Sequence, residues 1–316
     1  MVQLMNKLIR FFIFLLVSFF FFGCGSSNKN TDYFYEEFPL ERNGIALHLD
    51  CVTLENLKPK KNILLVHGVT YSSHEFNIDY KDYSLVKKLA RAGYAVWRID
   101  IAGFGQSGAV TDGFMPDSLY AADDVNAAID FIIQKTGQRK IDLLGWSWGT
   151  VVSGHVAESN STKLDKLVLY APIVSGLGSY EVKEPFHHNT WEHAVDDFQL
   201  DESGNFDYTV AEPEVIEQWC SSCWHYDGEF SPNGGRRDIL VPSTTRLINL
   251  EALSIPTLLI YGDSDPYLNY EMLSEFIDNL PPNFKVEVIK GASHVAMLEK
   301  PFYHDFQNRL IKFLFN

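Results

Sequence analysis

Three segments of the chain carry residue types that together can perform nucleophilic acyl chemistry. Residues 145–149 read G-W-S-W-G, directly after the apolar run 140–144 and directly before the helical pattern T-V-V-S-G-H-V-A-E. A serine on so tight a strand-to-helix turn is held in a strained backbone conformation, and glycines two residues to either side leave room for it. The Ser147 hydroxyl is then expected above a sheet and at a helix N-terminus, where the dipole favours developing negative charge. A serine hydroxyl needs a base to take its proton. Downstream, L-L-I-Y-G-D-S-D-P (258–266) closes one apolar run with two carboxylates, Asp263 and Asp265. The next run, V-I-K-G-A-S-H (288–294), closes with His294. Nucleophile, acid and base thus arrive in the order Ser, Asp, His.

Such groups converge only if several strands end at one edge. Short apolar runs alternate with longer amphipathic ones from residue 45 onward, the pattern of βα units and a mostly parallel sheet. Strands are expected at 45–54, 62–66, 95–99, 140–144, 166–170, 256–261 and 285–289, and helices at 83–91, 118–134, 148–158, 270–279 and 302–315. Within 118–134 the residues Leu119, Ala122, Val125, Ala128, Ile129 and Ile132 recur at spacings of three and four, which marks one buried face. The rhythm fails over 175–250, an aromatic-rich stretch with fourteen acidic and four basic residues. It reads as a cap inserted into a core formed by 40–174 and 251–316.

Five motifs give residues 40–316 a resemblance to the α/β-hydrolase superfamily: L-L-V-H-G (64–68), D-I-A-G-F-G-Q-S (100–107), the serine turn, G-D-S-D (262–265) and G-A-S-H (291–294). The resemblance implies an α/β fold with a mostly parallel central sheet, helices on both faces and an inserted cap. It implies Asp265 as the acid and His294 as the base, with Asp263 as the alternative acid or a turn-capping residue. An oxyanion hole would use the N–H of Trp148, the residue after the nucleophile, and that of Val69, just past His67-Gly68. His67 is then a structural support. Tyr71 either adds a hydroxyl to the hole or packs beneath the cap.

Of the 316 residues, 46% are hydrophobic and 21% charged, the balance of a folded globular chain. With 26 basic and 41 acidic residues the formal net charge is -15, which repels a phosphate backbone and argues against nucleic acid as a partner. Lys7 and Arg10 precede the run FFIFLLVSFFFF (11–22), the n- and h-regions of a signal peptide over 1–23. That run is shorter than the roughly 20 residues of a transmembrane helix. Gly23-Cys24 resembles a bacterial lipobox, which implies export, lipidation of Cys24, a membrane anchor and a flexible tether over 24–39. Phe21 and Phe22 depart from the usual box, so ordinary secretory cleavage or an uncleaved anchor are the alternatives. Export would place Cys51, Cys220 and Cys223 in an oxidising compartment. The C-S-S-C segment would then close a disulfide, remain as thiols or act as a redox pair. Zinc, with His225 nearby, lacks a complete ligand set.

The expected activity is that of a serine hydrolase with no metal and no organic cofactor, acting on a neutral carboxylic ester, short-chain or lipid-derived. The aromatic cap favours an apolar pocket, and its net charge of -10 disfavours anionic substrates at the rim. One rival is a peptidase of the prolyl aminopeptidase type, whose elbow Ser147-Trp148-Gly149 resembles, with Glu181, Glu184 or Glu214 holding a substrate ammonium. Others are an acyltransferase with the same triad and a binding protein on a hydrolase scaffold.

Overall fold

The computed structural model describes residues 33–316. Its strands are β1 (Tyr33–Arg42), β2 (Ile45–Leu54), β3 (Lys61–Val66), β4 (Tyr94–Ile99), β5 (Ile141–Trp146), β6 (Leu164–Tyr170), β7 (Phe186–His188), β8 (Phe230–Pro232), β9 (Thr257–Gly262) and β10 (Phe284–Ile289). Eight of them form one sheet in the order β1-β2-β4-β3-β5-β6-β9-β10, while β7 and β8 make a small separate ribbon. Every pairing from β4 to β10 is parallel, and only β2 runs against its neighbours. Strands buried on both faces read as near-continuous apolar runs rather than alternating. Accordingly every residue of β4, β5 and β9 is buried.

Side chains one apart on a strand point to opposite faces. Leu64 and Val66 of β3 enter one apolar cluster, and Ile63 and Leu65 enter the other. Helices cover both faces. In chain order they are α1 (Leu85–Ala92), α2 (Ser118–Thr136), α3 (Trp148–Asn160), α4 (Trp191–Val195), α5 (Pro213–Tyr226), α6 (Gly234–Ile239), α7 (Tyr270–Asp278) and α8 (Tyr303–Phe315). Buried residues of α2, α3 and α7 belong to the first cluster and those of α1 and α8 to the second. The α2 start is capped by Asp117, which accepts from the N–H groups of Leu119 and Tyr120. Leu119, expected on the buried face, is 64% exposed, because it lies in the first turn outside the apolar stripe.

Two expectations at the N-terminal side need correction or lie elsewhere. The tether anticipated over 24–39 gives way at Tyr33 to β1, which pairs with β2 along its whole length. The turn between them is Asn43-Gly44 with φ of 53° and 78°, the left-handed pair that joins twisted strands tightly. The signal segment and Cys24 lie outside the described residues.

Between β6 and β9 the cap elements α4, α5 and α6 and the β7–β8 ribbon sit over the sheet. Trp219 of α5 is fully buried; its indole N–H donates to the Ala194 carbonyl at 2.8 Å and its ring meets Trp146 edge-on at 5.9 Å. Cys220 and Cys223 lie inside α5 as buried free thiols, packed into the apolar cluster with Trp219. The disulfide alternative is therefore not realised. Among the described residues no helix is long and apolar enough to cross a membrane.

Candidate active site

The candidate residues all follow the carboxyl ends of parallel strands: Val69 after β3, Ser147 after β5, Asp265 after β9 and His294 after β10. Ser147 occupies the position before α3 with φ 56° and ψ -125°, a conformation that costs a non-glycine residue roughly 1–3 kcal/mol. The glycines beside it are required by contact. A Cβ on Gly145 would lie 2.1 Å from the Gly149 carbonyl oxygen, and one on Gly149 would lie 2.4 Å from that of Val66.

The His294 Nδ1–H donates to Asp265 Oδ2 at 2.8 Å, both residues being almost wholly buried. That leaves Nε2 as the basic nitrogen. Asp263 accepts instead from the Gly291 N–H at 2.6 Å and thereby braces the histidine loop. Burial alone would lower the pKa of His294, but the Asp265 carboxylate, its hydrogen bond and Asp197 outweigh burial and raise it above 6.5. The His294 carbonyl receives hydrogen bonds from the Trp146 indole and the Tyr170 hydroxyl, at 3.2 and 3.0 Å. Buried Glu299 accepts from the Ser293 N–H at 2.9 Å. A Cβ at Gly262 would strike the Ala292 carbonyl oxygen at 2.0 Å, so only glycine lets the β9 end approach this loop.

The loop after β3 is braced as firmly. Ile101 N–H donates to His67 Nε2 at 3.1 Å, which fixes the other tautomeric proton on Nδ1; that group donates to the Gly68 carbonyl at 2.8 Å. Burial lowers the His67 pKa, so the ring is a neutral brace. Asp100, of the 100–107 motif, accepts from both the N–H and the hydroxyl of Ser73 and ties that segment to the same loop. Among the described residues neither the Val69 nor the Trp148 backbone N–H donates to another group. Two such donors beside one serine are what a developing oxyanion needs.

Ser147 and His294 line one cavity of about 170 Å³ together with Val69, Tyr71, Asp197 and Arg236. Sequence reasoning named Tyr71 but missed Asp197 and Arg236, as well as Glu75 and Tyr267 of the same wall; their positions depend on how the cap folds back, which no local spacing records. Tyr267 meets the His294 ring edge-on at 4.8 Å. Of the cap histidines, only His193 reaches the cavity wall. Glu181 and Glu184 are exposed, and Glu214 lines a different, larger groove of about 1140 Å³ between the β1–β2 hairpin and α5, which contains neither Ser147 nor His294. Among the described residues no group of three or more His, Cys, Asp or Glu side chains is arranged to hold a metal ion.

Comparison with known proteins points the same way as the sheet order. The family model described as "Serine aminopeptidase, S33" matches residues 57–301. A putative non-heme chloroperoxidase of Synechocystis sp. is 25% identical over 252 residues, covering 76% of this chain and 87% of that protein. An uncharacterized carboxylesterase, nap, of Bacillus subtilis is 22% identical over 253 residues, with 76% and 75% covered. Among solved structures, a thermophilic esterase from Thermogutta terrifontis superposes with a TM-score of 0.64 at 21% identity, covering 88% of this chain and 98% of that one.

Proposed function

The chain belongs to the serine aminopeptidase S33 family, within the α/β-hydrolase superfamily, and from that premise we propose that it is a serine hydrolase of carboxylic esters. The observation that carries the reading is the 2.8 Å His294–Asp265 hydrogen bond on the wall of a cavity that also exposes the strained Ser147. In the proposed cycle His294 Nε2 takes the proton of the Ser147 hydroxyl while the oxygen adds to the ester carbonyl. The oxyanion so formed accepts from the Val69 and Trp148 N–H groups, each contributing on the order of 10² to 10³ in turnover. Collapse breaks the bond to the alcohol oxygen, which leaves with the proton from His294. Water, deprotonated by the same imidazole, then cleaves the acyl-serine and restores the hydroxyl. The chain's own residues suffice for each step.

Esterase chemistry is favoured over an aminopeptidase by the position of the cap acids. The acids proposed to hold an ammonium group, Glu181, Glu184 and Glu214, lie away from the cavity, whose wall carries the Arg236 guanidinium alongside Asp197 and Glu75. An acyltransferase would use the same groups with an alcohol in place of water. A panel of p-nitrophenyl esters against proline and alanine anilides, run with and without added alcohols, tests all three. Ester turnover lost in Ser147→Ala supports the proposal; turnover of the anilides alone would overturn it.

Export and anchoring through Cys24 form a separate proposal that rests on residues 7–24 alone. Incorporation of labelled fatty acid, abolished by Cys24→Ala, is the expected result.

A further inference from the structure

The cavity wall holds a guanidinium with no carboxylate of the described residues in contact with it. Arg236 stands in α6, where Gly235 packs directly on the Trp148 ring: a Cβ there would lie 2.5 Å from Trp148 Cε2. This contact seats α6 against the residue that follows the nucleophile. The guanidinium donates to Thr70 Oγ1 at 2.6 Å, to Asn233 Oδ1 at 3.2 Å and to Ser231 Oγ at 3.4 Å, all neutral oxygens. Among the described residues no carboxylate comes within 4.0 Å of it. Thr70 is the residue after Val69, so the charge sits immediately beside the proposed oxyanion loop.

A second observation points to a ligand at the same place. Tyr71 is 2% exposed and lines the cavity, yet its hydroxyl has no hydrogen-bond partner among the described residues. Leaving a buried hydroxyl unpaired is unfavourable, and leaving a buried cation without a counter-charge more so. A carboxylate oxygen accepts from both kinds of group. Burial lowers the Arg236 pKa only to about 10, so the group is cationic at neutral pH. The two acids on the wall do not cancel it by contact. Burial drives Glu75 well above the usual carboxylate range and also raises Asp197, whose charge acts on Arg236 from beyond contact distance.

We infer that Arg236 and Tyr71 form a carboxylate subsite, and that the preferred substrate is an ester whose acyl chain ends in a free carboxylate a short distance from the scissile carbonyl, as in the monoester of a small dicarboxylic acid. The inference rests on the serine hydrolase proposed above and specifies its substrate class. The short span follows from the size of the cavity, about 170 Å³, which Ser147 and Arg236 both line. It reverses the expectation of a neutral ester drawn from the acidic cap. Charges at the rim act through water and are screened over about 8 Å at physiological salt, whereas a guanidinium in contact with its ligand is screened far less.

The test measures kcat/KM for alkyl monoesters of succinic, glutaric and adipic acids beside uncharged acyl esters of matched length, in wild type, Arg236→Gln, Arg236→Lys and Tyr71→Phe. The wild type should favour one monoester, and Arg236→Gln should lower the ratio of charged to uncharged substrate by about 10- to 100-fold, mainly through KM. Arg236→Lys should recover part of that ratio and Tyr71→Phe should lose a smaller part. A ratio that stays constant while both substrates fall together would show Arg236 to be only a brace, and would overturn the inference. Fluorophosphonate labelling of Ser147 separates this from failure of the underlying reading. If Ser147 is labelled, glutarate should slow labelling in wild type and not in Arg236→Gln, and absence of protection overturns the subsite. If folded protein is neither labelled nor active on any ester, the hydrolase itself is overturned.

Discussion

Ser147 is separated from Asp265 and His294 by more than a hundred residues of chain, yet each proposed role is tied to a local physical cause. The serine is presented by a backbone conformation that only surrounding contacts can hold. The imidazole must be neutral at Nε2 to accept a proton, and its folded pKa is raised above 6.5 by Asp265 and Asp197 against burial. Protonation therefore removes the base at a higher pH than for a free imidazole. The acid limb of kcat/KM should show an apparent pKa above 6.5. Asp265→Asn removes the largest raising influence, so the limb should shift to lower pH while kcat falls by about 10³ to 10⁴. A pH-rate profile checks both, and an unshifted limb in the variant would dissociate Asp265 from the base. Motif spacing made these three residues legible because each ends a strand at a turn with its own signature. Arg236 was not legible, since a guanidinium in G-G-R-R looks like any surface charge until the cap folds it beside Thr70.

At the scale of elements, the apolar strands were readable because burial on both faces favours near-continuous runs of Val, Leu and Ile. The edge strand β1 was not. Its residues are largely exposed, Phe34 at 53%, so neither an apolar run nor a clean alternation marks it, and only the Asn43-Gly44 turn signals the hairpin. The same elements explain why the nucleophile's glycines tolerate no side chain. Gly149→Ala would press a methyl to 2.4 Å from the Val66 and 2.6 Å from the His67 carbonyl oxygens, at the root of the loop carrying the Val69 N–H. Relief requires that loop to move. The expected outcome is a stability loss of about 1–3 kcal/mol by denaturant unfolding, together with a kcat loss of about 10²-fold from a displaced oxyanion donor.

For the whole molecule, net charge and local charge act in opposite directions. The cap stretch 175–250 carries most of the imbalance, with fourteen acids and four bases, while a single guanidinium faces the reacting groups. Raising the ionic strength from about 0.01 to 0.15 M shortens the screening length from about 30 to 8 Å. For an anionic ester the rim repulsion should fade more than the buried attraction, so kcat/KM should rise with salt, and for an uncharged ester it should stay flat. A fall for the anionic ester would place the controlling charges elsewhere. All of these expectations depend on one oxygen being nucleophilic. The most direct measurement is mass-spectrometric localisation of a fluorophosphonate adduct on the folded protein. The account predicts one adduct, on Ser147, which is lost in Ser147→Ala and strongly slowed in His294→Ala. Stoichiometric labelling at another residue, or ester turnover undiminished in Ser147→Ala, would contradict it.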